Sequence, residues 1–528
     1  MAFVITQNCC TDASCVPVCP VDCIRPVPGD RGSTTPMLYI DPTTCVDCGA
    51  CAEVCPVTAI CHEDDLPPTQ RRYKQINAEY FAAAPLTIRS SLPVEPARPV
   101  ERGSLKVAVV GTGPAACYAV ADLVRTGGVD VNVFEKLPTP YGLVRFGVAP
   151  DHQPTKDVVR EFEAALGHRD VSCYFNVTVG NDLTHDDLAA DHHAVIYAVG
   201  ASQSKGLGIA GDHLSGNHAA ADVVGWYNGH PERASDTLDL SGPRTVIVGN
   251  GNVALDVARI LVMDREALAR TDIADHALSQ LSTSGIEEVV VLGRRGAADA
   301  AFSSGELLAL GALDGVDVVI EGHLGERPAD FEGALKYDLV NDYAGRPPRP
   351  GRRRIVLRFG ARPVEIVGDG RVEGLVIADR NGRERLATPL VVRSIGYTGS
   401  PIAGLPFDDA AGIVPNVGGR VMRGQDPIPG AYVTGWIKRG PRGVIGTNRE
   451  CARQTVTNLL ADARAGRSST NRAGSERLLT MLSSRESEIV DWAAWRRIDA
   501  IERQRGSTSQ RPRVKLADLD ALLAASKA

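Results

Sequence analysis

The stretch Lys106-Val-Ala-Val-Val110-Gly111-Thr-Gly113-Pro-Ala-Ala116 decides how most of this chain folds. An apolar run of strand length ending at glycine reads as a strand buried on both faces of a parallel sheet. Gly111 permits a tight turn, Gly113 lets the backbone approach a pyrophosphate, and small Ala116 lets the following helix pack on the strand. The start of that helix then faces anionic phosphates. Val131-Asn-Val-Phe-Glu135 supplies the next strand, and Glu135 at its end can accept hydrogen bonds from an unphosphorylated ribose, as in FAD or NAD.

Downstream the pattern returns as Thr245-Val-Ile-Val248 followed by Gly249-Asn250-Gly251-Asn252-Val-Ala254. Its second strand, Glu288-Val-Val-Val-Leu292, ends in Gly293-Arg294-Arg295 rather than in an acid. Guanidinium forks match the oxygens of a ribose 2′-phosphate, which a carboxylate would repel, so this fold should take NADP.

The other decisive segment is Cys45-x2-Cys48-x2-Cys51-x3-Cys55-Pro56. This is an iron–sulfur ligand run in which three thiolates hold one cluster and the Cys-Pro cysteine reaches another. Upstream, Cys9, Cys15 and Cys19-Pro20 repeat it more loosely. The expected sets are therefore Cys19 with Cys45, Cys48 and Cys51, and Cys55 with Cys9 and Cys15. Cys10 is the nearest candidate for a missing ligand, but adjacent cysteines fit two irons of one cluster poorly. The reading favours one [4Fe-4S] cluster and a second of [3Fe-4S] type, with [4Fe-4S] as its alternative. Structural zinc usually pairs two separate C-x2-C hooks, and a disulfide framework needs a secreted chain. The remaining cysteines read as packing thiols.

Composition sets the outer limits. A chain of 528 residues with 44% hydrophobic content is globular and too long for one core. No apolar run reaches membrane-spanning length, and a cytoplasmic location is expected. The net charge of −7 is concentrated at the start, where residues 1–84 carry ten Asp or Glu against five Lys or Arg. An acidic electron carrier is steered toward a basic face, for which Arg346, Arg349, Arg352, Arg353 and Arg354 are one candidate. A solvated or nucleotide-proximal loop is the alternative. Nothing suggests nucleic acid. Pro85–Ser104, with Pro93, Pro96 and Pro99, reads as a linker.

Two dinucleotide folds with different ribose preferences, joined to clusters, define an electron chain. NADPH gives two electrons as hydride, clusters accept one at a time, and flavin converts between the two, so the first fold should hold FAD.

Longer segments resemble the adrenodoxin reductase-like branch of ferredoxin–NADP reductases: Pro138-Thr-Pro-Tyr141-Gly-Leu-Val-Arg-Phe-Gly-Val-Ala-Pro-Asp-His152, Gly249 to Arg259, and Gly435-Trp-Ile-Lys-Arg-Gly-Pro441. Residues 2–67 resemble seven-iron bacterial ferredoxins. Together they are similar to the fused ferredoxin/ferredoxin–NADP reductases of bacteria. The resemblance implies FAD contacts at Ala115, Glu135, Leu143, Val179, Trp436 and Gly443-Val444-Ile445. It implies NADP contacts at Gly249 to Asn252, Arg294, Arg295, Glu306 and Gly443, with Lys205 replacing a relative's arginine. Trp436 and His152 are the candidate catalytic residues beside flavin and nicotinamide. Ala309 stands where relatives place a glutamate near the histidine, so ordering the pocket is the alternative to a proton relay for His152.

The resulting expectation is an α/β chain with two Rossmann-like folds behind a small α+β two-cluster ferredoxin. The expected limits are 1–84 for the ferredoxin, 85–104 for the linker, 105–202 for the first part of the FAD fold, 203–400 for an inserted NADP fold, and 401–528 for the rest of the FAD fold with C-terminal helices. The expected activity is that of a ferredoxin–NADP reductase, with an external ferredoxin or flavodoxin as redox partner. An electron-input subunit resembling the glutamate synthase small subunit, or a redox sensor that does not turn over, are the alternatives.

Overall fold

The computed structural model describes residues 2–26, 37–86, 99–468, 475–484 and 488–528. Most of the linker, including Pro93 and Pro96, lies outside them.

Two sheets dominate, and both are built as the glycine fingerprints require. In the first, strands Leu105–Val110, Val129–Glu135, Val171–Phe175, Ala194–Tyr197 and Asp426–Val433 run parallel. Short antiparallel strands Arg420–Arg423 and Asn416–Val417 extend one edge. In the second, six parallel strands stand in the order Asn217–Ala219, Leu390–Arg393, Arg244–Val248, Glu288–Gly293, Arg353–Phe359, Val316–Gly322. A separate antiparallel meander covers 362–387.

In each sheet the fingerprint strand lies between its immediate successor and a strand from much later in the chain. The chain order reverses there, which is where open α/β sheets place ligands. The first glycine explains how the turn fits. Gly111 has φ +102°, and a Cβ on it would lie 2.7 Å from the Ala198 carbonyl oxygen. Gly249 has φ +111° and is pressed in the same way against the Ser394 carbonyl. No L side chain is accommodated at either position.

Sheet membership reports the order of the chain. The first sheet uses strands up to Tyr197 and resumes at Asn416, and the second uses those in between. Gln203–Ser204 pairs antiparallel with Tyr397–Thr398 where the chain crosses out and back. Helix Trp492–Thr508 buries Trp495 and Ile498 in the core of the first fold. There Arg145 forms a buried bidentate pair with Glu502 (2.9 and 2.5 Å).

The cysteine-rich segment is held by two small antiparallel pairs, Phe3–Ile5 with Ile60–His62 and Ile24–Arg25 with Tyr39–Ile40, and by helix Arg72–Ala83. Asn77 ties them together, accepting from Ile5 N–H (3.3 Å) and Ile40 N–H (2.9 Å) and donating to the Ile5 carbonyl (2.9 Å). No helix among the described residues is long and apolar enough to cross a membrane.

Candidate functional site

The first crevice forms around the Gly111 turn. Helix Pro114–Thr126 starts directly after Gly113, and a Cβ on Gly113 would meet nothing within 4 Å. That open cradle beside unpaired helix N–H groups fits a pyrophosphate. Glu135 is buried and accepts from Thr112 N–H (2.9 Å), the Thr112 hydroxyl (2.6 Å) and Leu137 N–H (3.1 Å). Burial holds its carboxyl above the ordinary value. Leu143 (50% exposed) and Val199 (41%) flank this turn, apolar surface of the kind a flat ring covers. Val179 sits apart on a loop, bridged to Leu183 and half-buried against the same core as Phe134.

A later segment closes over the turn. A Cβ on Gly435 would lie 2.6 Å from that of Ala115, which brings Trp436 to the crevice. The Trp436 indole donates to the Arg442 carbonyl (3.2 Å) and stacks on Tyr397, with centroids 6.2 Å apart. Beyond it, Val444 N–H donates to Thr447 Oγ1 (3.1 Å), and Asn448 Nδ2 donates to the Val444 and Ile445 carbonyls (3.3 and 3.0 Å). Gly443, Val444 and Ile445 are thus fixed from behind by one helix.

In the second crevice, helix Asn252–Val262 follows Gly251. Asn252 Oδ1 accepts from Ser303 N–H (2.7 Å), and Asn250 Oδ1 from Ala301 N–H (3.5 Å). Arg294 and Arg295 are both exposed just past strand Glu288–Gly293, and Arg295 has only the distant Asp299 (3.6 Å) as ion-pair partner among the described residues. Two uncommitted guanidinium forks fit a 2′-phosphate. Lys205 is exposed, its N–H on the Gly396 carbonyl (3.1 Å) at the far wall of this crevice.

Between the crevices lies a buried charge network. Arg259 donates to Asp151 (2.7 and 3.1 Å), Asp256 (2.7 Å) and Glu306 (3.4 Å), and Glu306 stands 3.9 Å from His152 Nε2. Burial, reinforced by Asp256, holds the Glu306 carboxyl above its ordinary value. His152, Asp256 and Glu306 have metal-ligand spacing, but the Arg259 guanidinium already supplies the cation there. His152 therefore has a carboxylate neighbour, Glu306, even though residue 309 is alanine.

The cysteines gather into two neighbouring groups. Cys51 is pushed up to about 11 by burial and by the neighbouring thiols of Cys45, Cys19 and Cys48. Together with Cys23 these line one small cavity. Cys15 is raised by burial, then by Cys9, Asp12 and Cys55. Thiols clustered in this way are a donor set that a multi-iron core satisfies. Cys10 is different. Its side chain lies in the core of the first dinucleotide fold, with Ala115 and Tyr118, against which Cys9 and Cys55 also pack.

The ferredoxin-like segment is wedged against both folds. Gly446 N–H donates to the Cys10 carbonyl (2.8 Å), and a Cβ on Gly446 would collide with Cys10 and Asp12 backbone. Arg449 reaches Asp12 (3.6 Å) and Glu161 (2.5 Å) and lies over the Tyr118 ring. On the other side Gln7 donates to Glu306 (3.4 Å), Tyr39 to Glu332, and Tyr39 and Tyr80 pack edge-on against Phe331. The Arg346–Arg354 loop, one candidate docking face, is largely engaged within its own fold. Arg349 and Arg352 pair with Asp317 of their own fold (2.7 and 3.2 Å), Arg354 with Glu288 (2.9 Å), and Arg346 covers Tyr343. Buried acids distant in sequence but close in space, Asp317 and Glu288, had already claimed three of those charges.

Gly446, Arg449, Gln7, Tyr39 and Glu332 were missed in the sequence, because each acquires its role only through a contact distant along the chain. Gly446 carried one usable signal, being adjacent to the expected Gly443–Ile445 contact segment.

The fold and crevices define a class: a two-dinucleotide flavoprotein-type reductase carrying its own iron–sulfur segment. Residues 7–59 match the 4Fe-4S dicluster domain family. Over its whole length the chain is 47% identical to the probable ferredoxin/ferredoxin–NADP reductase of Mycobacterium tuberculosis, covering 95% of that protein. Over 79% of its length it is 45% identical to NADPH-ferredoxin reductase FprA of the same organism, covering 98% of it. The solved structure of M. tuberculosis FprA in complex with NADPH superposes with TM-score 0.75 at 43% identity, over 82% of this chain and all of that one. The chain belongs to the ferredoxin/ferredoxin–NADP reductase family. Such a pairing implies iron–sulfur, FAD and NADP as its cofactors.

Proposed function

We propose that this chain is a ferredoxin–NADP reductase that passes electrons from NADPH into its own ferredoxin segment, entering at the Cys9/Cys15/Cys55 cluster. The observation that carries this is the Gly446 N–H bond to the Cys10 carbonyl. It joins the segment that follows Gly443-Val444-Ile445, next to the first crevice, to the first cysteine loop with no side chain between them. NADPH supplies hydride, FAD turns a two-electron donor into single-electron steps, and clusters accept those electrons one at a time.

The protein's contribution is positioning. Gly111 and Gly113 seat the FAD pyrophosphate at a helix N-terminus, and Glu135 accepts from its ribose. Gly249 to Asn252 do the same for NADPH, with Arg294 and Arg295 on the 2′-phosphate. Trp436, stacked on Tyr397 beside the first crevice, would border the bound nicotinamide and flavin. His152, held beside Glu306 and the Asp151–Arg259 pair, orders that pocket.

The reading assigns [4Fe-4S] to the Cys19/Cys45/Cys48/Cys51 set and [3Fe-4S] to the other. Cys48 and Val46 are exposed beside the former, which suits it as the exit to an external ferredoxin or flavodoxin. Thirteen cysteines, seven of them in the proposed ligand sets and none in a disulfide, suit a reducing, cytoplasmic location.

Anaerobic mixing with NADPH tests the reading. Flavin absorbance should bleach first, and cluster signals in electron paramagnetic resonance should change afterwards. Bleaching with unchanged clusters would exclude internal transfer. Replacing Arg294 and Arg295 with alanine should raise KM for NADPH by about 10- to 100-fold, from the loss of two charged hydrogen-bonding groups, while leaving KM for NADH nearly unchanged.

A further inference from the structure

The two cysteine loops are copies of one backbone. At a constant offset Cys9 falls on Cys45, Cys15 on Cys51, and Cys19-Pro20 on Cys55-Pro56. In the same register Thr11 (φ 56°) falls on Asp47 (57°), Ala13 (59°) on Gly49 (76°), and Asp22 (49°) on Thr58 (48°). Left-handed backbone is uncommon for residues other than glycine, so three matches in register mark one repeated conformation. The thiolate hydrogen bonds repeat too: Cys23 N–H reaches Cys19 Sγ at 3.4 Å, and Ala59 N–H reaches Cys55 Sγ at 3.3 Å.

By this register Asp12 occupies the place of Cys48, the middle ligand of the regular triplet. Cys10 falls on Val46, a position where the regular loop carries no thiol. The Asp12 carboxylate is 8% exposed, and its charge bears on the thiols of Cys9, Cys10, Cys15 and Cys55. Ser14 holds it through its N–H (3.3 Å) and its hydroxyl, and Arg449 approaches to 3.6 Å while keeping Glu161 as its closer partner. Asp12 and Cys55 also line a groove open to solvent, which gives a small cation a way in.

We propose that Asp12 is the fourth protein ligand of the Cys9/Cys15/Cys55 cluster and that its carboxylate makes the fourth metal of that cluster exchangeable. This rests on the iron–sulfur reading given above. An oxygen donor holds a soft-site metal less tightly than a thiolate does, so the corner at Asp12 loses its ion when the same corner at Cys48 keeps it. One electron, delivered by NADPH through the reductase or by dithionite, reduces [3Fe-4S]+ to [3Fe-4S]0. Insertion of a divalent ion M2+ then gives [M3Fe-4S]2+ with no further electron moved, and the ionised Asp12 carboxylate becomes its ligand.

The test uses the full-length holoprotein. After mild oxidation the wild type should show the resonance of an oxidised three-iron cluster. Reduction in the presence of Fe2+ or Zn2+ should abolish that resonance on reoxidation, and native mass spectrometry should find about one more metal ion per chain. Asp12→Ala and Asp12→Asn should show the same starting resonance but bind the added ion at least about tenfold more weakly, since loss of a mere outer-shell partner already costs that much. Asp12→Cys should keep its fourth iron through oxidation. Arg449→Met, which removes the ion pair but not the carboxylate, should still take up the ion.

Equal uptake by wild type and Asp12→Ala overturns the assignment of Asp12 and leaves the iron–sulfur reading intact, as does a wild-type three-iron cluster that takes up no ion. A wild type without any three-iron resonance, carrying a four-iron cluster that survives oxidation in Asp12→Ala as well, overturns both the assignment and the [3Fe-4S] reading.

Discussion

Cys10 and Val46 occupy the same place in two copies of one loop, yet Cys10 is 4% exposed and Val46 is 57% exposed. The backbone around them is alike, so the difference comes from what lies outside. The first loop is pressed against Gly446 and Arg449, and the second meets solvent. A duplicated module has been given a direction: one end faces the reductase, and the other is available to a partner.

The largest expected effect comes from placing a charge at the covered position. Cys10→Asp buries an unpaired carboxylate and should destabilise the chain by about 3–5 kcal/mol in denaturant titration, whereas Cys10→Val should retain the full iron content. Loss of iron in Cys10→Val would show that position 10 differs chemically from position 46. Next, Gly446→Val forces the two backbones apart. It should slow NADPH-driven cluster reduction by about a hundredfold, the scale of a 1 Å misplacement, with flavin bleaching unchanged in stopped flow. Arg449→Met should slow that transfer by about tenfold or less, since one partly buried charge-assisted contact contributes about 1.5 kcal/mol. Val46→Asp should change stability by no more than about 0.5 kcal/mol and leave internal transfer as it is. If it slows internal transfer instead, the two ends are not distinct.

Both dinucleotide folds were legible from the chain because their glycines answer to local geometry, a turn at Gly111 and a second at Gly249. The cysteine spacing was legible for the same reason, and the Cys-Pro rule led to the proposed crossing of Cys19 and Cys55. The docking face was not. Sequence shows how many arginines stand at 346–354 but not that Asp317 and Glu288 neutralise them, whereas Arg449, isolated in sequence, becomes the basic contact through tertiary packing. Glu306 was named for a nucleotide role, and its bond to Gln7 was invisible because 299 residues separate the two.

The two dinucleotide folds meet at a hinge of two crossing strands, Gln203–Ser204 and Tyr397–Thr398, backed by direct ion pairs of Arg259 with Asp151 and Lys156 with Asp272. The ferredoxin segment lies across that hinge, gripping Glu306 and Glu332 on one side and Gly446 and Arg449 on the other. It therefore acts as a splint. A swivel of one fold against the other would strain the Gly446 and Gln7 contacts along with those ion pairs, so domain rotation and the proposed delivery to the clusters draw on the same surface.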